Sequence, residues 1–150
     1  MSGIVKGRGK AEATGVATIL CIDDQAAGLL IRKELLETKG YGVLIATNGP
    51  QALAMARQRD VDLVILDYRM PEMDGEEIAS ILKAEEPGRP IVLLTGYPGE
   101  IPQHLLALVD ALVEKGNSAS VLLSAVERAL SSGRRRPGKQ GRLERKRDSA

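Results

Sequence analysis

The sequence predicts an α/β domain in which a parallel sheet carries helices on both faces, and three observations lead there. Five short apolar runs alternate with stretches of helical periodicity. Most of these runs are continuously apolar rather than alternating, as strands covered on both faces are. Acidic residues close two of them: the first runs into Asp23-Asp24 and the third into Asp67. In a parallel sheet such strand ends gather at one edge, where these sheets place their working crevice.

The elements follow in order along the chain. Thr18–Ile22 is the first strand. Ala27, Ile31 and Leu35 then recur at i, i+4 and i+8, predicting a helix with Gly40 as its stop. Gly42–Ala46 is the second strand, and Asn48-Gly49-Pro50 opens a helix marked by Ala52, Met55 and Ala56. Leu63–Leu66 is the third strand, and Ile78 and Leu82 mark the helix after it, which ends before Pro87-Gly88. Ile91–Leu94 is the fourth strand. Pro98-Gly99-Glu100-Ile101-Pro102 precedes Gln103 to Leu108, so the fourth helix is short or starts late. Ala111–Val113 is the fifth strand, and Leu122, Ala125 and Ala129 mark the last helix, with Ser118 as its N-cap.

A chain of 150 residues holds one domain with a real core. Residues 17–132 form that domain in this reading. Residues 1–16 and the basic tail 133–150 are Gly-rich or charge-rich and are expected to be disordered. The formal net charge of +1 hides an asymmetry. Residues 134–150 carry eight Arg and Lys against Glu144 and Asp148, a net of +6 that leaves the remainder at −5. Cys21 is the single cysteine, so no internal disulfide forms, and its place in an apolar strand reads as a small buried hydrophobe. No apolar stretch approaches the length of a membrane span, and Lys6, Arg8 and Lys10 have no apolar block behind them. The expectation is a soluble, cytoplasmic protein without a membrane partner.

An acid at the end of a buried strand costs desolvation unless something there needs its charge. Asp23, Asp24 and Asp67 meeting at one sheet edge make an oxygen-rich nest suited to Mg²⁺. Thr95 and Lys115 stand at the ends of the fourth and fifth strands. Taken singly, each has an ordinary reading. Asp23-Asp24 serves as a helix N-cap pair, Thr95 as a strand-end cap, Lys115 as a solvated loop charge, and Met70-Pro71-Glu72-Met73-Asp74-Gly75 as a turn feeding a helix.

Taken together, in this order, they resemble the receiver domain of two-component response regulators. The resemblance covers about residues 17 to 131. Asp67 lies 43 residues after Asp24 and 28 before Thr95, spacings normal for that family. The resemblance implies a flavodoxin-like (βα)5 fold with five parallel strands in the order 2-1-3-4-5. It implies that Asp67 is the phosphoacceptor, taking a phosphoryl group from the phosphohistidine of a sensor histidine kinase or phosphotransfer protein. Asp24, Asp67, the backbone carbonyl of Arg69, and Asp23 through water would hold Mg²⁺. Lys115 would pair with Asp67 and then with a phosphoryl oxygen, while the Thr95 hydroxyl and the Gly96 amide would bind another.

The chain departs from the family in three places. Leu112 stands where the family usually has an aromatic residue coupled to the switch threonine, with Tyr97 as the nearest ring. Gly116 replaces a proline whose cis bond shapes the loop, so a trans bond and a looser loop are expected. The region between Thr95 and Lys115 is short and interrupted by proline. Arg69 and Tyr97 occupy positions where the family tunes the lifetime of the aspartyl phosphate; a solvated loop arginine is an equal alternative for Arg69. His104 receives no role.

The tail reads first as a solvating segment; contact with nucleic acid or another anionic partner is the alternative, without stacking aromatics to support it. The leading function is a response regulator that accepts phosphate and signals by protein contact to an output protein or to a second copy of itself. A phosphate-independent interaction module on the same fold is the second reading. An aspartyl-phosphate phosphatase is the third; such enzymes carry an acid two residues after the nucleophile, and Arg69 stands there. The chain is therefore read as a phosphoacceptor and not as an enzyme acting on other substrates.

Overall fold

Residues 16–68 and 74–133 are described by a computed structural model, in which strands and helices alternate along the chain. The strands are β1 (Thr18–Ile22), β2 (Gly42–Ala46), β3 (Leu63–Asp67), β4 (Ile91–Thr95) and β5 (Ala111–Glu114). The helices are α1 (Ala26–Glu37), α2 (Gly49–Gln58), α3 (Gly75–Glu85), α4 (Gln103–Leu108) and α5 (Ala119–Gly133), with a 3-10 turn at Pro98–Glu100. All four strand pairs are parallel and the order is β2-β1-β3-β4-β5, as the resemblance implied. The expectations for residues 1–15, the loop 69–73 and the tail 134–150 lie outside the described residues. Among the described residues, no helix is long and apolar enough to cross a membrane.

Successive side chains of a strand point to opposite faces, and here that alternation builds two cores. Leu20 and Ile22 of β1, with Val64 and Leu66 of β3, pack under α2, α3 and α4 through Ala52, Leu53, Ile78, Leu82 and Leu105. Ile19 and Cys21, with Leu63 and Ile65, pack under α1 and α5 through Leu29, Leu36, Leu122 and Val126. Apolar residues on both sides of β1, β3 and β4 explain why those runs are continuous. Cys21 is the buried small hydrophobe expected, and burial pushes its thiol up to about 12.

Local chemistry sets the helix ends. The Asn48 side chain accepts from the Gln51 amide at 2.8 Å, with Pro50 in the first turn of α2. Asp74 does the same for α3, accepting from Glu77 at 3.1 Å, with Glu76 and Glu77 in the first turn. Ser118 stands just before α5, and its backbone carbonyl accepts from Val121, while its hydroxyl lies 3.0 Å from that of Ser120. Helix α4 is as short as its prolines predict: six residues, no side-chain cap, and Leu105 as its one buried residue.

The apolar stripe of α1 differs from the expected one. Ala27 and Ile31 are exposed, Ile31 by 69%, and Leu35 is half-buried. Leu29 and Leu36, two turns apart, are the residues that reach the core. The physical reason lies at the functional edge of the sheet, where α1 presents a polar side chain to β1.

Candidate functional site

Register and parity bring the acids together. Cys21 lies opposite Ile65 and Ile22 opposite Leu66, so the carboxyl ends of β1 and β3 are level. Ile19 and Cys21 share the α1/α5 face with Leu63 and Ile65, and counting on by two places Asp23 and Asp67 on that face as well. The two are 2% and 4% exposed. Asp24 is exposed beside them, and one carboxylate oxygen from each of the three lies within 4.8 Å of the others. That donor set of hard oxygens fits a divalent cation such as Mg²⁺.

Lys115 follows β5 and reaches across the sheet edge. Its ammonium is 2.9 Å from Asp67 Oδ1 and 3.9 Å from Asp23 Oδ2. Its amide donates to the Thr95 carbonyl at 2.8 Å, which ties the loop after β5 to the end of β4. Gly116 turns the chain at a φ of +94°, in the left-handed region that favours glycine, and the bond before it is trans as expected. The Thr95 hydroxyl is buried and accepts from the Tyr97 amide at 3.0 Å. Gly96 is exposed between them.

The start of α3 approaches the end of β3 closely. The Gly75 amide donates to the Tyr68 carbonyl at 2.6 Å, and a Cβ on Gly75 would lie 2.8 Å from both Tyr68 Cα and that oxygen. No larger residue fits there without moving the peptide that follows Asp67. The N-terminus of α3 is thereby fixed to the end of β3.

Charge balance differs between the two buried acids. Burial pushes the Asp67 carboxyl up to about 6; Lys115 pulls against that rise and the Asp23 charge adds to it. Burial also works against the Asp23 charge. There, however, the Gln25 amide on Oδ1 at 3.1 Å, with Lys115 and Arg32, holds the carboxyl below its ordinary value. Arg32, from the second turn of α1, pairs directly with Asp23 Oδ2.

Arg32 is the residue that sequence reasoning missed. Its one signal was the spacing of Gly28 and Arg32, four apart and so on one helical face. Of the other predicted positions, Tyr97 is 67% exposed and Leu112 is 37% exposed on β5, in register with Leu93. Arg69 lies outside the described residues. His104, given no role, pairs with Glu76 of α3.

Comparison with known proteins adds to this geometry. Residues 19–127 match the family described as the response regulator receiver domain. The chain is 33% identical over 117 residues to the transcriptional regulatory protein GlrR of Escherichia coli (strain K12), covering 76% of this chain and 26% of that one. It is 36% identical over 118 residues to protein-glutamate methylesterase/protein-glutamine glutaminase 3 of Rhodospirillum rubrum, covering 75% and 32%. The chain thus spans a third or less of these two relatives. The response regulator protein TrrA of Thermotoga maritima, solved in complex with Mg(2+)-BeF, is similar with a TM-score of 0.72 and 31% identity, covering 76% of this chain and 99% of that one.

Proposed function

The chain belongs to the response regulator receiver domain family, and on that premise we propose that it accepts a phosphoryl group on Asp67 from the phosphohistidine of a sensor kinase or phosphotransfer protein. The observation that carries this reading is the Lys115 ammonium held 2.9 Å from a buried Asp67 that two further carboxylates flank. A carboxylate is a weak nucleophile and the incoming phosphoryl group is anionic, so the site must neutralise charge before the two can meet.

An Asp67 oxygen attacks phosphorus in line; the phosphorus–nitrogen bond of the phosphohistidine breaks, and its electron pair stays with the leaving imidazole. Lys115 moves from the carboxylate oxygen to a phosphoryl oxygen. The Thr95 hydroxyl and the Gly96 amide donate to another. Asp24 and Asp67, with Asp23, would hold Mg²⁺, which would supply charge neutralisation at the transferring group. The chain acts on its own Asp67 and passes the signal on through protein contacts. GlrR is named a transcriptional regulatory protein and the Rhodospirillum rubrum relative a protein-glutamate methylesterase/protein-glutamine glutaminase, so relatives that share this domain carry different outputs.

Incubation with Mg²⁺ and acetyl phosphate, followed by intact mass, tests the reading beside Asp67→Asn. A single phosphoryl adduct that is absent in the variant and in EDTA is expected. A second reading, a phosphate-independent interaction module, is favoured by the outward, solvent-exposed Leu112. Failure of both acetyl phosphate and beryllofluoride with Mg²⁺ to engage Asp67 would decide for it.

A further inference from the structure

Arg32 is a second internal cation at the acid cluster, and the phosphotransfer chemistry does not call on it. Its guanidinium pairs with Asp23 Oδ2. The side chain is 17% exposed, and Nε is buried with no hydrogen-bond partner. Gly28, one turn earlier on α1, leaves the path open: a Cβ there would lie 3.4 Å from Arg32 Nη2 and 3.6 Å from Nη1. A longer side chain at 28 would fill the space the guanidinium crosses. With Oδ1 already accepting from Gln25, both Asp23 oxygens are engaged by donors of the chain itself.

We propose that Arg32 is a built-in competitor for the divalent cation, a positioning residue that holds Asp23 and sets the Mg²⁺ affinity of the site. The inference rests on the functional reading above and adds to it a residue that regulates metal loading. The three carboxylates carry three negative charges when ionised, and Lys115 and Arg32 offset two of them. Among the described residues that balance is −1 with Arg32 and −2 without it, and attraction for a dication at contact distance rises accordingly. The clamp is also poorly made. Its buried Nε has no partner, so the hydrogen bond that Nε gains in water partly offsets the loss of the Asp23 pair when the guanidinium is released. A cation entering the site can therefore displace Arg32 or share its oxygen, and does so against a standing charge.

The experiment is a titration with Mg²⁺ alone, at fixed ionic strength and pH, followed by amide chemical shifts in ¹H–¹⁵N spectra. It needs no phosphodonor. In Arg32→Gln the dissociation constant is expected to fall roughly tenfold. Gly28→Leu keeps the arginine but blocks its path, and is expected to tighten binding in the same direction; it carries the test if Arg32→Gln does not fold. A purely structural arginine would change unfolding but not metal affinity. Asp24→Asn reports on the metal site itself. Wild-type binding that Asp24→Asn weakens, with unchanged or weaker affinity in the Arg32 and Gly28 variants, overturns the competitor. No Mg²⁺ response in any of the proteins overturns both the competitor and the metal reading beneath it.

Discussion

Replacing Asp67 by asparagine removes a charge that the folded state tolerates poorly while keeping the shape of the side chain. Burial lifts the carboxyl from 3.8 to about 6 despite Lys115 at 2.9 Å. At about 1.4 kcal/mol per pH unit, that shift corresponds to a penalty of about 3 kcal/mol on the ionised, folded form. The sign follows from linkage: the folded state holds this proton more tightly than the unfolded state does. The wild-type protein therefore loses stability as pH rises from about 4 through about 6, and carries the whole penalty above that. The amide that replaces the carboxyl has no proton to lose. Metal-free Asp67→Asn is expected to be more stable than wild type by about 2–3 kcal/mol at pH 7.5, with the gap closing towards pH 4. Urea denaturation followed by far-ultraviolet circular dichroism measures this, since the chain has no tryptophan. Saturating Mg²⁺ should shrink or reverse the gap by binding the folded wild type more tightly than the variant. An equal or less stable variant at pH 7.5, or a gap indifferent to pH, would refute the reasoning.

Asp23→Asn is expected to act in the opposite direction. The Asp23 carboxyl is held below its ordinary value, so its contribution is present above the unfolded pKa and lost as pH falls through the folded one. The variant strips Arg32 of its counter-charge, and a loss of about 1–3 kcal/mol in the same urea assay at pH 7.5 is expected. Leu29→Ala should cost about 2–4 kcal/mol, because Leu29 is wholly buried, whereas the exposed Ile31→Ala should stay within about 0.5 kcal/mol. Equal costs for the two would contradict the orientation of α1. Gly116→Ala forces a side chain into a φ of +94° and is expected to cost about 1–2 kcal/mol by thermal melting. A shift in Tm no larger than that of an exposed-loop substitution would show that the loop relaxes.

β1, β3 and β4 were legible because they are apolar on both sides, and few segments other than doubly covered strands are. The meeting of Asp23, Asp24 and Asp67 was legible for the converse reason, a charge following directly on a buried run. Periodicity misled only in α1. It counted Ile31 as core from its hydrophobicity, when the inward arc is shared by Leu29, Leu36 and a polar strip over Gly28. The Arg32–Asp23 pair joins residues nine apart through helix phase and the missing side chain at 28. The i, i+4 spacing of Gly28 and Arg32 is its one trace in the sequence, and that spacing does not name Asp23 as the partner. The trans bond at Gly116 was foreseeable from the absence of proline, but its left-handed turn depends on how β5 delivers Lys115 to Asp67.

Helix α4, with six residues, no capping side chain and Leu105 as its one buried anchor, is too short to sustain itself by backbone hydrogen bonds alone. Its opening free energy belongs near the bottom of the scale on which α5, with fifteen residues and several buried side chains, stands near the top. Among the described elements cohesion is thus expected to be uneven, with α4 opening at less cost than the sheet and the long helices. Amide protons of residues 105–108 should exchange with solvent well before those of α5. A binding partner that grips this edge has to supply the order it recognises, which exchanges affinity for rapid release.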